Sequence, residues 1–388
     1  MLVPGIRHGI RLPAPLLRIA LAGSVVFIIL ASWFLFATRP VTTDGPVMPY
    51  ADMTSVRSIA YIEPVAGRDH LMVRSAELGS EPVSIYSFDV AISGLHARGS
   101  VSPTADRIAV LHSGVSAAAR MTILAVVGRE VMPVLVEERF DHLSRIAWSA
   151  DGQRLAVSRT TSAGDSSTAA ILEVSARSGV TRKVAEVSRA LEVAPVGYSI
   201  DGERLFWVVV DNSGSNLWME RRGEVLRVGE LSPGRTMDWS LSPDGARVAF
   251  IDVLGASSRN YVGRTMTIAN GAVTTLPATG NQIGTVWRPG AVLPEFGGPG
   301  GNLQLSEPSD GAAFIRPEKW SPLGELIVAT VFAAGADRYA PAEQAIELGG
   351  IDRRELITDT PGASFLGWIR DLPPTSAAVA DMEIATWQ

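Results

Sequence analysis

Five histidines, His8, His70, His96, His112 and His142, are the chain's only imidazoles. The four beyond His8 are 26, 16 and 30 residues apart, so no local spacing supplies the paired ligands of a zinc site. Cysteine is absent, which removes disulfides, thiol catalysis, Cys-ligated zinc, iron–sulfur clusters and an acylated-Cys anchor. A serine hydrolase of the nucleophile-elbow type needs Gly-x-Ser-x-Gly followed by Asp and His. Gly362-Ala363-Ser364 runs instead into Phe365-Leu366, and no His follows His142. Asp211-Asn212-Ser213-Gly214-Ser215-Asn216 opens like a calcium loop, but Arg222 stands where the closing Glu belongs, so a hairpin turn is the better reading. Gly297-Gly298-Pro299-Gly300-Gly301 has neither the following Lys-Ser/Thr nor the helix of a phosphate loop, and reads as a flexible loop between strands. Glu137-Glu138 reads as part of a solvated connection and Asp352-Arg353-Arg354-Glu355 as a polar hairpin turn. No catalytic, cofactor-binding or metal-ligating residue is assigned, and a non-enzymatic role is expected.

The scaffold around these residues has two parts. Ile19 to Ala37 is a run of 19 residues without a charge, nearly enough helix for a hydrocarbon core of about 30 Å. Arg7, Arg11 and Arg18 precede it, Arg39 follows it, and no acid occurs before Asp44. The positive flank places the N-terminus in the cytoplasm and the following chain outside. A cleaved signal peptide fits less well, because the run is long and Leu35-Phe36-Ala37 puts a bulky residue where a small one is needed. The expected order is a cytoplasmic tail (1–18), a transmembrane helix (19–37), a Pro/Gly linker (38–50) and a periplasmic or extracellular domain (51–388). The chain's net charge is −6, and removing the basic N-terminal 43 residues leaves −10 on the remainder. Lys occurs only at Lys183 and Lys319, and the arginines are scattered, so nucleic acid is not an expected partner.

A repeat organises the outer part. Trp148-Ser149-Ala150-Asp151-Gly152-Gln153-Arg154-Leu155-Ala156-Val157 recurs as Tyr198-Ser199-Ile200-Asp201-Gly202-Glu203-Arg204-Leu205-Phe206. It recurs again as Leu241-Ser242-Pro243-Asp244-Gly245-Ala246-Arg247-Val248-Ala249-Phe250. Worn copies follow Val101 and Trp320, and fragments surround Trp287 and Trp368. The position after the aromatic falls at 102, 149, 199, 242, 288, 321 and 369, mostly 43–50 residues apart, near the length of one four-stranded blade. Pro presets φ in the turn, Asp binds local backbone and Gly takes a left-handed conformation. The recurring aromatics Trp148, Tyr198, Trp287, Trp320 and Trp368 are expected between blades.

This pattern resembles the repeat of TolB-like β-propellers, relatives of the WD-repeat class, over residues 100–371; residues 51–99 fit as strands without the motif. The resemblance implies an all-β propeller of four-stranded antiparallel blades. Seven blades are expected, with six or eight also compatible, because the interval between 288 and 321 is short. Strands at 56–61 and 70–73 are expected to join the C-terminal end, where 381–387 is a candidate strand, and so close the ring. Such propellers include docking platforms and enzyme-appended domains, so the fold leaves function open. The expected role is a membrane-anchored interaction or accessory subunit of an inner-membrane or envelope complex, bound to the membrane through 19–37 and to other envelope proteins, without cofactor. The alternative is an enzyme or a ligand or glycan sensor using the central channel; Asp, Glu, His or Arg converging at the axis with a bound metal would favour the enzyme, and an apolar plug or a bland channel the scaffold.

Overall fold

The computed structural model describes residues 53–90, 94–113, 119–141, 143–163, 166–255, 260–278, 280–303, 312–333, 344–350 and 352–373. The segment expected to cross the membrane, 19–37, and the candidate strand 381–387 lie outside the described residues, as do His8 and His142. Among the described residues no helix is long and apolar enough to cross a membrane.

The strands form antiparallel sheets in chain order. Blade one contains β1 (Ser58–Val65), β2 (Arg68–Ser75) and β3 (Val83–Asp89). Blade two is β4 (Arg98–Val101), β5 (Arg107–Ser113), β6 (Ala119–Val127) and β7 (Glu130–Phe140). Blade three is β8 (Ala147–Trp148), β9 (Arg154–Ala163), β10 (Ser166–Ser175) and β11 (Thr181–Ser188). Blade four is β12 (Glu192–Tyr198), β13 (Arg204–Asp211), β14 (Gly214–Arg221) and β15 (Glu224–Ser232). Blade five is β16 (Arg235–Leu241), β17 (Arg247–Leu254), β18 (Asn260–Thr267) and β19 (Ala272–Thr275). A two-stranded ribbon follows, β20 (Ile283–Val286) with β21 (Glu295–Gly297). Blade six is β22 (Ala312–Trp320), β23 (Ile327–Ala333), β24 (Gln344–Gly349) and β25 (Arg354–Thr358). The chain then returns to blade one, where β26 (Ser364–Ile369) pairs with β1, Ser58 facing Ile369 and Ala60 facing Gly367. Closure therefore joins early and late strands, as the sequence suggests, through β26 and β1.

The fold is thus a propeller of six four-stranded blades, and the expectation of seven such blades is corrected. The fifth motif position, at Trp287-Arg288, belongs to the ribbon. Only 33 residues separate its turn from the next, too few for four strands. The glycine stretch expected to be a flexible loop is also corrected, because it is a packing surface. A Cβ on Gly297 would run into the Ile315 carbonyl oxygen, and Gly298 donates its N–H to that oxygen at 2.9 Å. The bare backbone lets the ribbon press against the innermost strand of blade six.

Second strands read as continuous apolar runs because neighbouring blades cover both of their faces. Leu205 to Val210 is buried throughout, as is Val248 to Ile251. Motif side chains join blades in two directions. The aromatics reach back to the preceding sheet. Trp148 donates its indole N–H to Ser100 O (3.2 Å), Trp287 to Ser240 O (3.4 Å), Trp320 to Glu295 (2.6 Å) and Trp368 to Lys319 O (3.3 Å). Tyr198 donates its hydroxyl to Glu173 (3.0 Å). The motif arginines reach forward: Arg107 to Gly152 O, Arg154 to Gly202 O, Arg247 to Val292 O and Arg288 to Gly324 O, all at 2.7–3.0 Å.

The turn itself is a small polar circuit. Ser149 Oγ donates to Asp151 (2.5 Å) and accepts the Arg154 N–H (2.9 Å), while Asp151 accepts the Gln153 N–H (3.0 Å). Gly152 sits at φ 64°. The turns at Ser199 and Ser242 repeat the circuit. At Asp151, Asp201 and Asp244 partial burial pulls the carboxyl pKa upward, but the serine hydroxyl, the backbone N–H and the following arginine outweigh it, so each lies below 3.8. A carboxylate depressed in the folded state stabilises fully above its unfolded pKa and loses that contribution as pH falls through the folded value. The thermal midpoint of the full chain should therefore fall below about pH 4, where ordinary Asp carboxyls begin to protonate. The Ser149→Ala/Ser199→Ala/Ser242→Ala variant should show a shallower acid limb in a circular-dichroism pH series; an unchanged limb would remove these turns as the cause.

Candidate functional site

The described histidines serve the scaffold separately. His96 Nδ1 lies 2.9 Å from Asp69, whose other oxygen accepts the Ala97 N–H at 2.6 Å, tying blade one to the strand that opens blade two. His112 lies 3.0 Å from Thr122 Oγ1 and its ring centroid 4.9 Å from that of Phe88. Desolvation first, then Arg120, lowers its pKa, which favours neutral imidazole at neutral pH. His70 contacts Ser84 Oγ at 3.1 Å. Among the described residues no three His, Asp or Glu side chains are grouped to hold a metal ion. Asp211 accepts the N–H (2.7 Å) and hydroxyl (2.6 Å) of Ser213, the hairpin turn expected there.

Charge collects instead on the innermost strands, around the propeller axis. Arg98 opens β4, Arg145 precedes β8, Glu192 opens β12, Arg235 and Asp238 lie on β16, and Arg316, Glu318 and Lys319 on β22. Arg145, on blade three, donates to Trp239 O on blade five at 2.9 Å, passing over blade four. Glu192 lies in the same neighbourhood. Desolvation raises its pKa, Arg145 and Arg235 oppose that rise, and Asp238 adds to it. Asp238 has φ 52° at a bulge in β16 and accepts the Gly284 N–H from the ribbon at 2.9 Å. Asp tolerates this left-handed conformation better than most residues, and bulges of this kind re-aim side chains beside functional openings. On the other side, Glu318 accepts Arg316 Nε (3.1 Å) and Nη2 (2.7 Å), and the Thr330 hydroxyl (2.6 Å). Sequence reading missed this set, although Arg98 and Arg145 both stand three residues before the blade position of Val101 and Trp148. Aligning the motif copies upstream of that position would have placed them on innermost strands.

A second feature lies on the face formed by the turns between first and second strands. Ile200, Pro243, Val292, Leu293 and Leu323 are exposed there, Val292 and Leu293 at 65% and 58%. They form an arc. A Cβ on Gly245 would stand 3.6 Å from Ser199 Cα, Arg247 binds Val292 O, and Arg288 binds Gly324 O. The arc runs into a cleft of about 280 Å³ between blades six and one, lined by Pro322, Leu323, Leu326, Val56, Ala76 and Trp368 among others. Arg57, Glu77, Glu325 and Arg353 supply its polar wall.

No protein-family model matches the chain, and no curated protein matches it in sequence. Solved structures do share its fold. Oligogalacturonate lyase in complex with manganese is 10% identical, with a TM-score of 0.56 over 78% of this chain and 87% of that one. The β-propeller domain of the trilobed protease from Pyrococcus furiosus is 9% identical, with a TM-score of 0.51 over 78% and 95%. That domain has an open velcro topology, whereas β26 here pairs with β1. TolB from Acinetobacter baumannii is 15% identical, with a TM-score of 0.48 over 79% of this chain; the chain spans 65% of that protein's length. The likeness shows that this chain is a β-propeller with TolB propellers and enzyme propellers among its structural neighbours.

Proposed function

We propose that the propeller is a non-catalytic docking domain, held at a membrane by residues 19–37, that binds an envelope protein through the arc of turns and the adjoining cleft. The observation that carries this reading is the set of exposed apolar side chains on neighbouring turns from Ile200 to Leu323, ending in a concave site with a polar rim. Protein interfaces have that composition, an apolar core within a polar margin. Rigid blades suit the task, because loops on a stiff scaffold lose little freedom on binding. The uncharged run 19–37 and its basic flank support the anchor, with the N-terminus cytoplasmic and the propeller outside.

The test is gentle detergent extraction of the full chain. A stoichiometric co-purifying protein is expected with the native sequence and is expected to be lost from Leu323→Asp and Ile200→Asp. Both side chains are half exposed, so these variants should unfold at the native temperature. Recovery only as a free monomer under several conditions would overturn the reading, as would unchanged partner retention by both variants.

A second reading, a ligand sensor working through the axis, is favoured by the charge set on the innermost strands.

A further inference from the structure

The cleft between blades six and one has an apolar floor and a charged rim. Its floor is Val56, Ala76 and Trp368, all buried, with Pro322, Leu323 and Leu326 beside them. Backbone hydrogen bonds hold both walls, Ala76 N–H to Arg57 O at 2.7 Å on blade one and Ser321 N–H to Leu326 O at 2.6 Å on blade six. Trp368, on β26, donates its indole N–H across to Lys319 O at 3.3 Å, so the walls are tied to each other. At about 280 Å³ the space is smaller than pockets that enclose whole small molecules, which run to about 300–1,000 Å³. It suits one apolar side chain of a larger partner, and a rigid cleft loses little freedom when that side chain enters.

The charges on the rim are unequally engaged. Arg353 donates to Glu355 at 2.5 Å, and Glu355 also accepts Arg74 and, at 3.3 Å, the Gly79 N–H. Arg57, Glu77 and Glu325 are exposed and make no salt bridge or side-chain hydrogen bond among the described residues. Glu77 follows β2 on blade one, and Glu325 precedes β23 on blade six. A cation over the cleft therefore meets a free carboxylate from either wall, whereas Arg57 stands on blade one alone. Residues 44–388 carry −10, which adds a long-range preference for a basic partner. We propose that the cleft takes a short peptide segment of the partner, in which an apolar side chain fills the space between the blades and an adjacent lysine or arginine lies between Glu77 and Glu325. The inference rests on the docking reading and specifies the chemistry of the docked segment. Rim ion pairs add little affinity, but they discriminate between partners.

The experiment is surface plasmon resonance on the full chain in detergent, with capped hexapeptides as probes: Gly-Ser-Leu-Lys-Ser-Gly and its analogues with Leu-Glu or Ala-Lys at the centre. The Leu-Lys peptide should bind saturably. Leu-Glu and Ala-Lys should each bind about tenfold more weakly, the first through repulsion at the rim and the second through lost apolar burial. Glu77→Gln/Glu325→Gln should bind Leu-Lys and Leu-Glu within about twofold of each other, and Glu77→Lys/Glu325→Lys should prefer Leu-Glu. Neither carboxylate has a partner within the fold, so both variants should unfold at the native temperature. The proposal is overturned if no peptide binds saturably, if the native chain binds Leu-Lys and Leu-Glu equally, or if its preference survives in both variants. Absence of peptide binding, with the co-purifying protein still lost from Leu323→Asp, would remove this inference and leave the docking reading standing. Retention of that protein by both Leu323→Asp and Ile200→Asp would remove the docking reading itself.

Discussion

Trp207→Ala should lower the unfolding free energy by about 3–5 kcal/mol, the range for removing a large aromatic from a core. Trp207 is fully buried in the middle of β13 and heads the largest enclosed side chains of the propeller. It faces Trp218 across β14 and packs with Tyr198, Leu205, Val209 and Ile171, which come from blades three and four. The cavity cannot collapse easily, because both neighbouring strands are fixed by their own ladders. Its indole N–H has no hydrogen-bond partner among the described residues, so Trp207→Phe removes volume without orphaning an acceptor and should lose well under half as much. Urea unfolding followed by far-ultraviolet circular dichroism gives both values. Equal losses in the two variants would mean that the N–H is bonded.

Arg264→Met should be nearly as damaging. Asp252 is fully buried on β17 and accepts the Ser232 hydroxyl at 2.8 Å through one oxygen. Its other oxygen lies 2.9 Å from Arg264 on β18, off the line of a directed hydrogen bond, so the contact is an ion pair. Deleting the arginine strands a buried carboxylate, which typically destabilises by 3–5 kcal/mol. The lower end, about 3 kcal/mol, is expected because a partly exposed arginine leaves a path for water to the carboxylate. Arg264 remains 24% exposed. The Asp252→Leu/Arg264→Met double variant should recover most of the loss, since removing both charges also removes the desolvation penalty. A double variant as unstable as the single one would place the damage in packing instead of charge.

The blade framework was legible because its determinants are local. Ser-x-Asp-Gly closes a turn through its own side chains, and each such turn fixes two flanking strands. The aromatics were legible as inter-blade residues for the same reason, since their period exposes them. The ribbon was harder to read. Trp287-Arg288-Pro289-Gly290 makes a motif-like turn, and whether four strands follow depends on Gly297 admitting the Ile315 carbonyl, a contact between distant segments. The axial charges were hidden because a single Arg98 or Lys319 in a strand carries no signature. Its surroundings arise only when the ring closes, as when Arg145 on blade three reaches Trp239 O on blade five. The exposed arc was partly readable, since Ile200 occupies the place of proline in a solvent-facing turn, but its sharing a face with Val292 and Leu323 is a property of the closed ring.

Docking through the turn face is the central claim, and site-specific photo-crosslinking in cells tests it most directly. A photoreactive residue placed singly at Ile200 and at Leu323 of the full chain should give an adduct of the same partner mass. The same residue at Leu135, exposed on the outer strand β7, should give none. Adducts at Leu135 in comparable yield, or no adduct at either arc position while the partner still co-purifies, would contradict it.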